Sequence, residues 1–204
     1  MKIIDLTHTF KKDMPVFPGD EKPRLSKDSS FDTHGYQGFR LNTGMHVGTH
    51  IDAPLHMIPG GRTLAYFKPE KFIGQGVLID ARGKKIIDAA LIRKKKISPG
   101  SIILIRTDLS KKFHTAAYYK NYPVITENFA KEVIRLKAKI VGIDFPSPDR
   151  EPFRVHKLLL GKEILIIENL TNLAQLARVK KFTVLALPMK IALEAAPVRI
   201  IAII

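Results

Sequence analysis

Three histidines and one aspartate fall within eleven residues: His46-Val47-Gly48-Thr49-His50-Ile51-Asp52-Ala53-Pro54-Leu55-His56. Seven histidines scattered at random over 204 residues rarely place three at spacings of four and six. Imidazoles beside a carboxylate make a nitrogen-and-oxygen donor set of borderline hardness, suited to zinc, manganese or iron(II). In a strand, His50 and Asp52 point to the same side, toward one ion. Gly48 lets the backbone turn between donors, and Pro54 keeps the segment from continuing as regular structure. The plain alternative is a set of surface histidines on a turn, against which the accompanying aspartate and Gly-Thr pair weigh.

A second pair, His156 and Glu168, lies twelve residues apart. A lone histidine before Leu158-Leu159-Leu160 is more often structural than a ligand. Glu168 is odder, because it ends the strand-like run Glu163-Ile164-Leu165-Ile166-Ile167. A carboxylate there must be exposed, cap the following helix, or meet something positive.

The elements that must hold these groups follow from periodicity. Runs rich in Ile and Val predict strands at Lys2–Leu6, Gly76–Asp80, Ile102–Thr107, Lys139–Asp144, Glu163–Ile167, Phe182–Leu187 and Val198–Ile204. The last is too apolar to fray in water and should pair inside a sheet. A helix is predicted from Thr126 to Ala138, with Thr126 as N-cap, Glu127 at the favourable dipole end, and Phe129, Ala130, Val133 and Ile134 as its apolar stripe. Shorter helices are expected at Asp88–Lys95, around Arg154–Leu160 and at Asn169–Ala177. Pro and Gly gather in loops at Pro15–Asp20, Ala53-Pro54, Pro59–Gly61 and Pro146–Pro148, where sites are usually built. The expected architecture is one α/β domain over residues 1–204, with a mixed, barrel-like sheet and flanking helices.

Composition narrows the chemistry. The absence of cysteine excludes disulfides, iron–sulfur clusters, thiolate zinc sites and a cysteine nucleophile, leaving His, Asp and Glu to hold any metal. An apolar content of 45% with 26% charged residues is that of a soluble globule, not a disordered or fibrous chain. The first apolar stretch meets Asp5 too early for a secretory signal, and no run is long enough to span a membrane, so a cytoplasmic location is expected. The net charge of +15 could serve nucleic acid. Its basic residues, however, come as short pieces (Lys11-Lys12, Lys84-Lys85, Arg93 to Lys96, Lys111-Lys112, Lys180-Lys181) without interleaved aromatics, so a solvated surface is expected and no nucleic-acid partner.

The chain resembles the metal-dependent cyclase-like hydrolases that include bacterial kynurenine formamidase. The likeness begins at Ile4–His8 and Met14–Asp20 and includes the His-x-Gly-Thr-His-x-Asp-x-Pro-x-His signature from His46 to His56. It continues through Arg106–Asp108, Gly142–Asp149, His156–Leu160, Glu168–Leu170, Leu187–Lys190 and Pro197–Arg199. It implies a swivelling β/β/α-type fold and a homo-oligomer, dimer or tetramer. It also implies up to two divalent ions, zinc first and manganese second. His46, His50 and Asp52 would hold the first ion, with Asp52 bridging to a second completed by His156 and Glu168. His56 would be the general acid/base. The implied activity is hydrolysis of a small-molecule amide, N-formyl-L-kynurenine giving kynurenine and formate, with an isatin-like cyclic amide or a cyclisation as alternatives. Two departures bear on the substrate. Phe17 stands where the family often has Trp, and Leu193-Glu194-Ala195-Ala196 replaces a segment usually carrying Gly and Asp. Phe17 and Tyr66 are the expected aromatic surfaces for a planar ring.

Overall fold

The computed structural model describes residues 1–93 and 95–204. Among the described residues thirteen strands are present: β1 (Ile3–Asp5), β2 (Arg24–Ser29), β3 (Gly38–Asn42), β4 (His50–Asp52), β5 (Ile73–Asp80), β6 (Ile86–Ile87), β7 (Ile102–Arg106), β8 (Val124–Ile125), β9 (Ile140–Ile143), β10 (Leu165–Glu168), β11 (Thr183–Leu185), β12 (Ala195–Pro197) and β13 (Ile201–Ile203). The helices are α1 (Phe31–His34), α2 (Ala90–Arg93), α3 (Glu127–Arg135) and α4 (Arg154–Leu160). Nine strands form one mixed, curled sheet in the order β1-β13-β11-β5-β7-β9-β10-β4-β12. Its centre, β5-β7-β9-β10, is parallel, and both flanks are antiparallel.

Strands β7, β9 and β10 are apolar apart from the terminal Arg106 and Glu168 because both of their faces are covered. Ile102, Leu104, Leu165 and Ile167 pack on one face with Ile4, Ile51, Val184 and Ala202 from the curled flanks. Ile103, Ile105, Val141 and Ile166 pack on the other, against Phe129 and Val133 of α3 and Val155 and Leu159 of α4. The mixed α/β sheet expected from the sequence is therefore present, and β13 does pair inside it, between β1 and β11.

Helix α3 begins where Thr126 predicts: the Thr126 hydroxyl accepts from Phe129 N–H at 3.2 Å. It ends at Arg135, short of Ala138, and Lys137 adopts a left-handed φ of 54°. The predicted Asn169–Ala177 helix is absent. Asn169 and Asn172 both take left-handed φ values, 58° and 59°, leaving one 3-10 turn at Leu173–Leu176. Of the predicted Asp88–Lys95 helix, Ala90–Arg93 is helical, and Lys94, part of that helix and of the Arg93–Lys96 basic run, lies outside the described residues.

The antiparallel arm β2–β3 was not expected. Leu25 opposes Leu41 and Lys27 opposes Phe39, so Leu25, Phe39 and Leu41 share one face. Between Arg24 and Asn42 only Ser29 is buried. The arm lies between two segments that enter the candidate site, the Phe17–Asp20 turn and the loop carrying His46. No described helix is long and apolar enough to cross a membrane.

Candidate metal centre

Strand pairing brings the two sequence clusters together. In β4, His50 and Asp52 face one way while Ile51 packs into the core on the other. Strand β10 runs antiparallel to it with Glu168 opposite His50 and Ile166 opposite Asp52. Consequently Glu168 Oε2 stands 3.4 Å from His50 Nε2. Helix α4 delivers His156, whose Nε2 lies 3.4 Å from the other Glu168 oxygen. Glu168 is buried, so of the three fates open to it the contact with positive-capable groups is the one observed.

The loop before β4 supplies His46. Gly48 has φ of 69°, and a Cβ there would sit 2.5 Å from the Met14 methyl, so no other residue fits this turn unstrained. His46 Nδ1 comes within 3.0 Å of Asp52 Oδ1, and His50 Nε2 within 3.5 Å of the same oxygen. After Pro54 a short 3-10 turn, Pro54–His56, swings His56 to the same centre, its ring 4.2 Å from His46 and 5.8 Å from His156.

All of these groups are close, yet their polar atoms are not satisfied by one another. His50 Nε2 and both Asp52 oxygens are buried without a hydrogen-bond partner. Such atoms are costly unless something else binds them. Two compact donor triads result, His46–Asp52–His56 and His50–Asp52–Glu168, each with donor atoms within 4.8 Å of one another. Asp52 belongs to both. This grouping differs in detail from the implied ligand sets: His50 sits with Glu168 as well as with Asp52, and His56 comes within ligand range. The donor chemistry fits a divalent ion, and the orphaned, converging atoms are the observation that says so.

The electrostatics agree. Burial lowers the affinity of His50 for a proton, but Asp52 and Glu168 outweigh it and push its pKa up to about 9. His156 rises to about 10 against the same burial, through Asp149 and Glu168. Burial would raise Asp52, yet His50, His46 and His56 hold it well below the usual carboxylate range. Protons thus take the place of a cation among these carboxylates. His56 is different: burial, with His46 and His156 nearby, pulls its pKa down against the pull of Asp52 and Glu168.

A cavity of about 320 Å³ opens onto the centre. His46, His56, His156 and Glu168 line it, and Phe17, Met57, Tyr119 and Phe153 give apolar wall. Among the described residues no Lys or Arg lines it. Phe17 meets Tyr119 edge to face at 5.9 Å. Tyr66 stands elsewhere, on a separate groove with Leu187 and Met189, its ring covered by Arg62 at 3.9 Å. Sequence reasoning passed over Tyr119, Phe153 and Asn169. The last donates from its amide to Gly48 O at 2.8 Å and accepts from buried Tyr118 at 2.7 Å. The aromatic density of Tyr118-Tyr119 and Tyr122 was the available signal.

The family described as "Putative cyclase" matches residues 4–150. The chain belongs to the cyclase family. Within it, the chain is 34% identical over 206 residues to an uncharacterized protein of Methanocaldococcus jannaschii, covering all of both chains. It is 28% identical over 199 residues to the kynurenine formamidase of Erythrobacter litoralis, covering 93% of this chain and 88% of that relative. Among solved structures, isatin hydrolase A from Labrenzia aggregata, bound to benzyl benzoate, superposes with a TM-score of 0.88. That likeness is 26% identical and covers 100% of this chain and 93% of the other.

Proposed function

We propose that this cyclase-family enzyme hydrolyses the amide of an aryl formamide, N-formyl-L-kynurenine being the first substrate to try. The observation that carries the reading is the trio of buried, partnerless atoms on His50 and Asp52, converging with Glu168, His46 and His156 beneath an aromatic-walled cavity. His46, His50, Asp52, His156 and Glu168 would hold up to two divalent ions, zinc or manganese. Bound there, such ions lower the pKa of a water and polarise a carbonyl.

The chain's own groups supply the rest. Phe17, Tyr119 and Phe153 offer flat apolar surface for an aromatic ring. His56, neutral at physiological pH by the direction of its shift, takes the proton of the attacking water and delivers it to the departing nitrogen. The carbon–nitrogen bond breaks as that proton arrives, releasing formate and an arylamine. Tyr66, under Arg62, takes no part.

A second reading, opening of an isatin-like cyclic amide, is favoured by one feature. Among the described residues the cavity wall offers no Lys or Arg for the carboxylate that N-formylkynurenine carries, whereas a neutral ring needs none. Metal analysis with a hydrolysis screen of N-formylkynurenine, simpler formanilides and isatin tests both. Preference for isatin keeps the chemistry and changes the substrate; no amide opened with any divalent ion removes the reading.

We also propose that residues 1–204 act as one domain and that copies associate. The sheet that joins β1 to β13 supports the first. The uncovered apolar face of the β2–β3 arm supports the second, because an isolated two-stranded hairpin is marginal in water.

A further inference from the structure

The loop Pro146–Asp149 follows β9 and lines the cavity with Pro146 and Ser147. Its last residue, Asp149, is buried and faces His156 from the side opposite Glu168. Asp149 Oδ1 lies 2.5 Å from His156 Nδ1. Oδ2 accepts from Val155 N–H at 2.6 Å and from His156 N–H at 3.4 Å. Ser147 Oγ, in turn, donates to Asp149 O at 3.0 Å, holding the loop against the helix. One carboxylate therefore closes the first turn of α4 and grips the imidazole that the turn presents.

His50 is held differently. Its Nδ1 donates to Gly48 O at 2.9 Å, a neutral backbone acceptor. Both histidines thus have Nδ1 occupied and Nε2 left toward Glu168, but only His156 has a charged acceptor behind it. An acceptor on Nδ1 fixes the proton there and leaves the Nε2 lone pair free to bind an ion.

We propose that Asp149 is a positioning residue for His156, setting the tautomer and ring orientation in which Nε2 can serve as a metal ligand. The role rests on the metal reading above. A cap alone would explain the bonds to Val155 and His156 N–H, so the test must separate cap from clamp. Asp149→Asn does so. Asparagine caps a helix about as well as aspartate and keeps its size. Its amide, with Oδ1 turned to the backbone N–H groups, presents a donor to His156 Nδ1 and so favours the proton on Nε2, where it blocks ligation.

Measurements on the full chain separate the two. In chelator competition with zinc, D149N should hold one equivalent about 10- to 100-fold more weakly than wild type. Its cobalt(II) absorption spectrum should change, and excess metal should restore turnover. The metal-free melting temperature should fall less than in Asp149→Ala, because the cap remains although the ion pair to His156 is lost. In the metal-free proteins, a far-downfield His156 Nδ1 proton resonance should be present in wild type and absent in D149N. Wild-type affinity for both equivalents with an unchanged cobalt spectrum in D149N would overturn the role while leaving the metal reading intact. A wild type that takes up no divalent ion would overturn the metal reading, and this role with it.

Discussion

Two neighbouring stretches break the usual burial rules in opposite directions. The run His46–His56 buries polar atoms without partners, on β4 in a well-packed sheet. The arm Arg24–Asn42, just before it, ties charged groups together at its surface, as in the 2.7 Å bond from Arg40 to Asp28, and, apart from the partnerless Ser29 Oγ, is marked by apolar side chains left bare. Phe39 is 59% exposed and Leu41 53%. A buried orphan donor calls for an ion, and an exposed apolar face calls for another surface. The same criterion, what is left unsatisfied, therefore points to two kinds of partner in adjacent segments of one chain.

The largest expected effect is at Asp52, which both donor triads share. Asp52→Ala should lose both metal equivalents, seen by elemental analysis, and turnover should fall to background. A variant that kept either equivalent would show that the triads are not joined through this residue. His56→Ala comes next, with kcat lowered by about 10² to 10⁴ as for a lost acid/base. Metal content should stay near wild type. If metal is lost instead, His56 belongs with the ligands of the first triad.

The pH dependence of the chelated protein sharpens the contrast. His50 and His156 are raised from 6.5 to about 9 and about 10. Groups so raised contribute stability that is complete below pH 6.5 and is lost as pH climbs through 9 to 10. The melting temperature of chelated protein should fall across that window. With metal bound, those imidazoles are already deprotonated, so the fall should be much smaller, and metal affinity should rise with pH. Equal slopes with and without metal would contradict the assignment. The arm carries the smallest effect on the fold. Phe39→Asp with Leu41→Asp should shift the sedimenting species toward monomer while leaving the metal content unchanged. An unaltered oligomeric state would mean that something other than a second copy covers the arm, or nothing does.

Much of the site was legible because its donors are held by regular structure. The signature sits on a strand, where alternation fixes direction, and Glu168 ends a run too apolar to be anything but a central strand. What brings Glu168 opposite His50 is register, which a single chain's sequence does not print. The arm escaped because its strands lack the Ile- and Val-rich runs of the core and show only a weak alternation around Lys27 and Asp28. The Asn169–Ala177 helix failed because an apolar spacing was read without the tendency of asparagine to enter the left-handed region. Tyr66 and Tyr119 were equally aromatic on paper, and only the fold shows that the cavity has one of them in its wall.

The most direct test of the central claim is a metal titration of chelated protein with hydrolysis of N-formylkynurenine and isatin followed at each step. The account predicts no turnover without metal, then a rise that tracks occupancy and ends at no more than two equivalents. Full amide hydrolysis by the metal-free protein, or complete metal loading with neither amide opened, would contradict it.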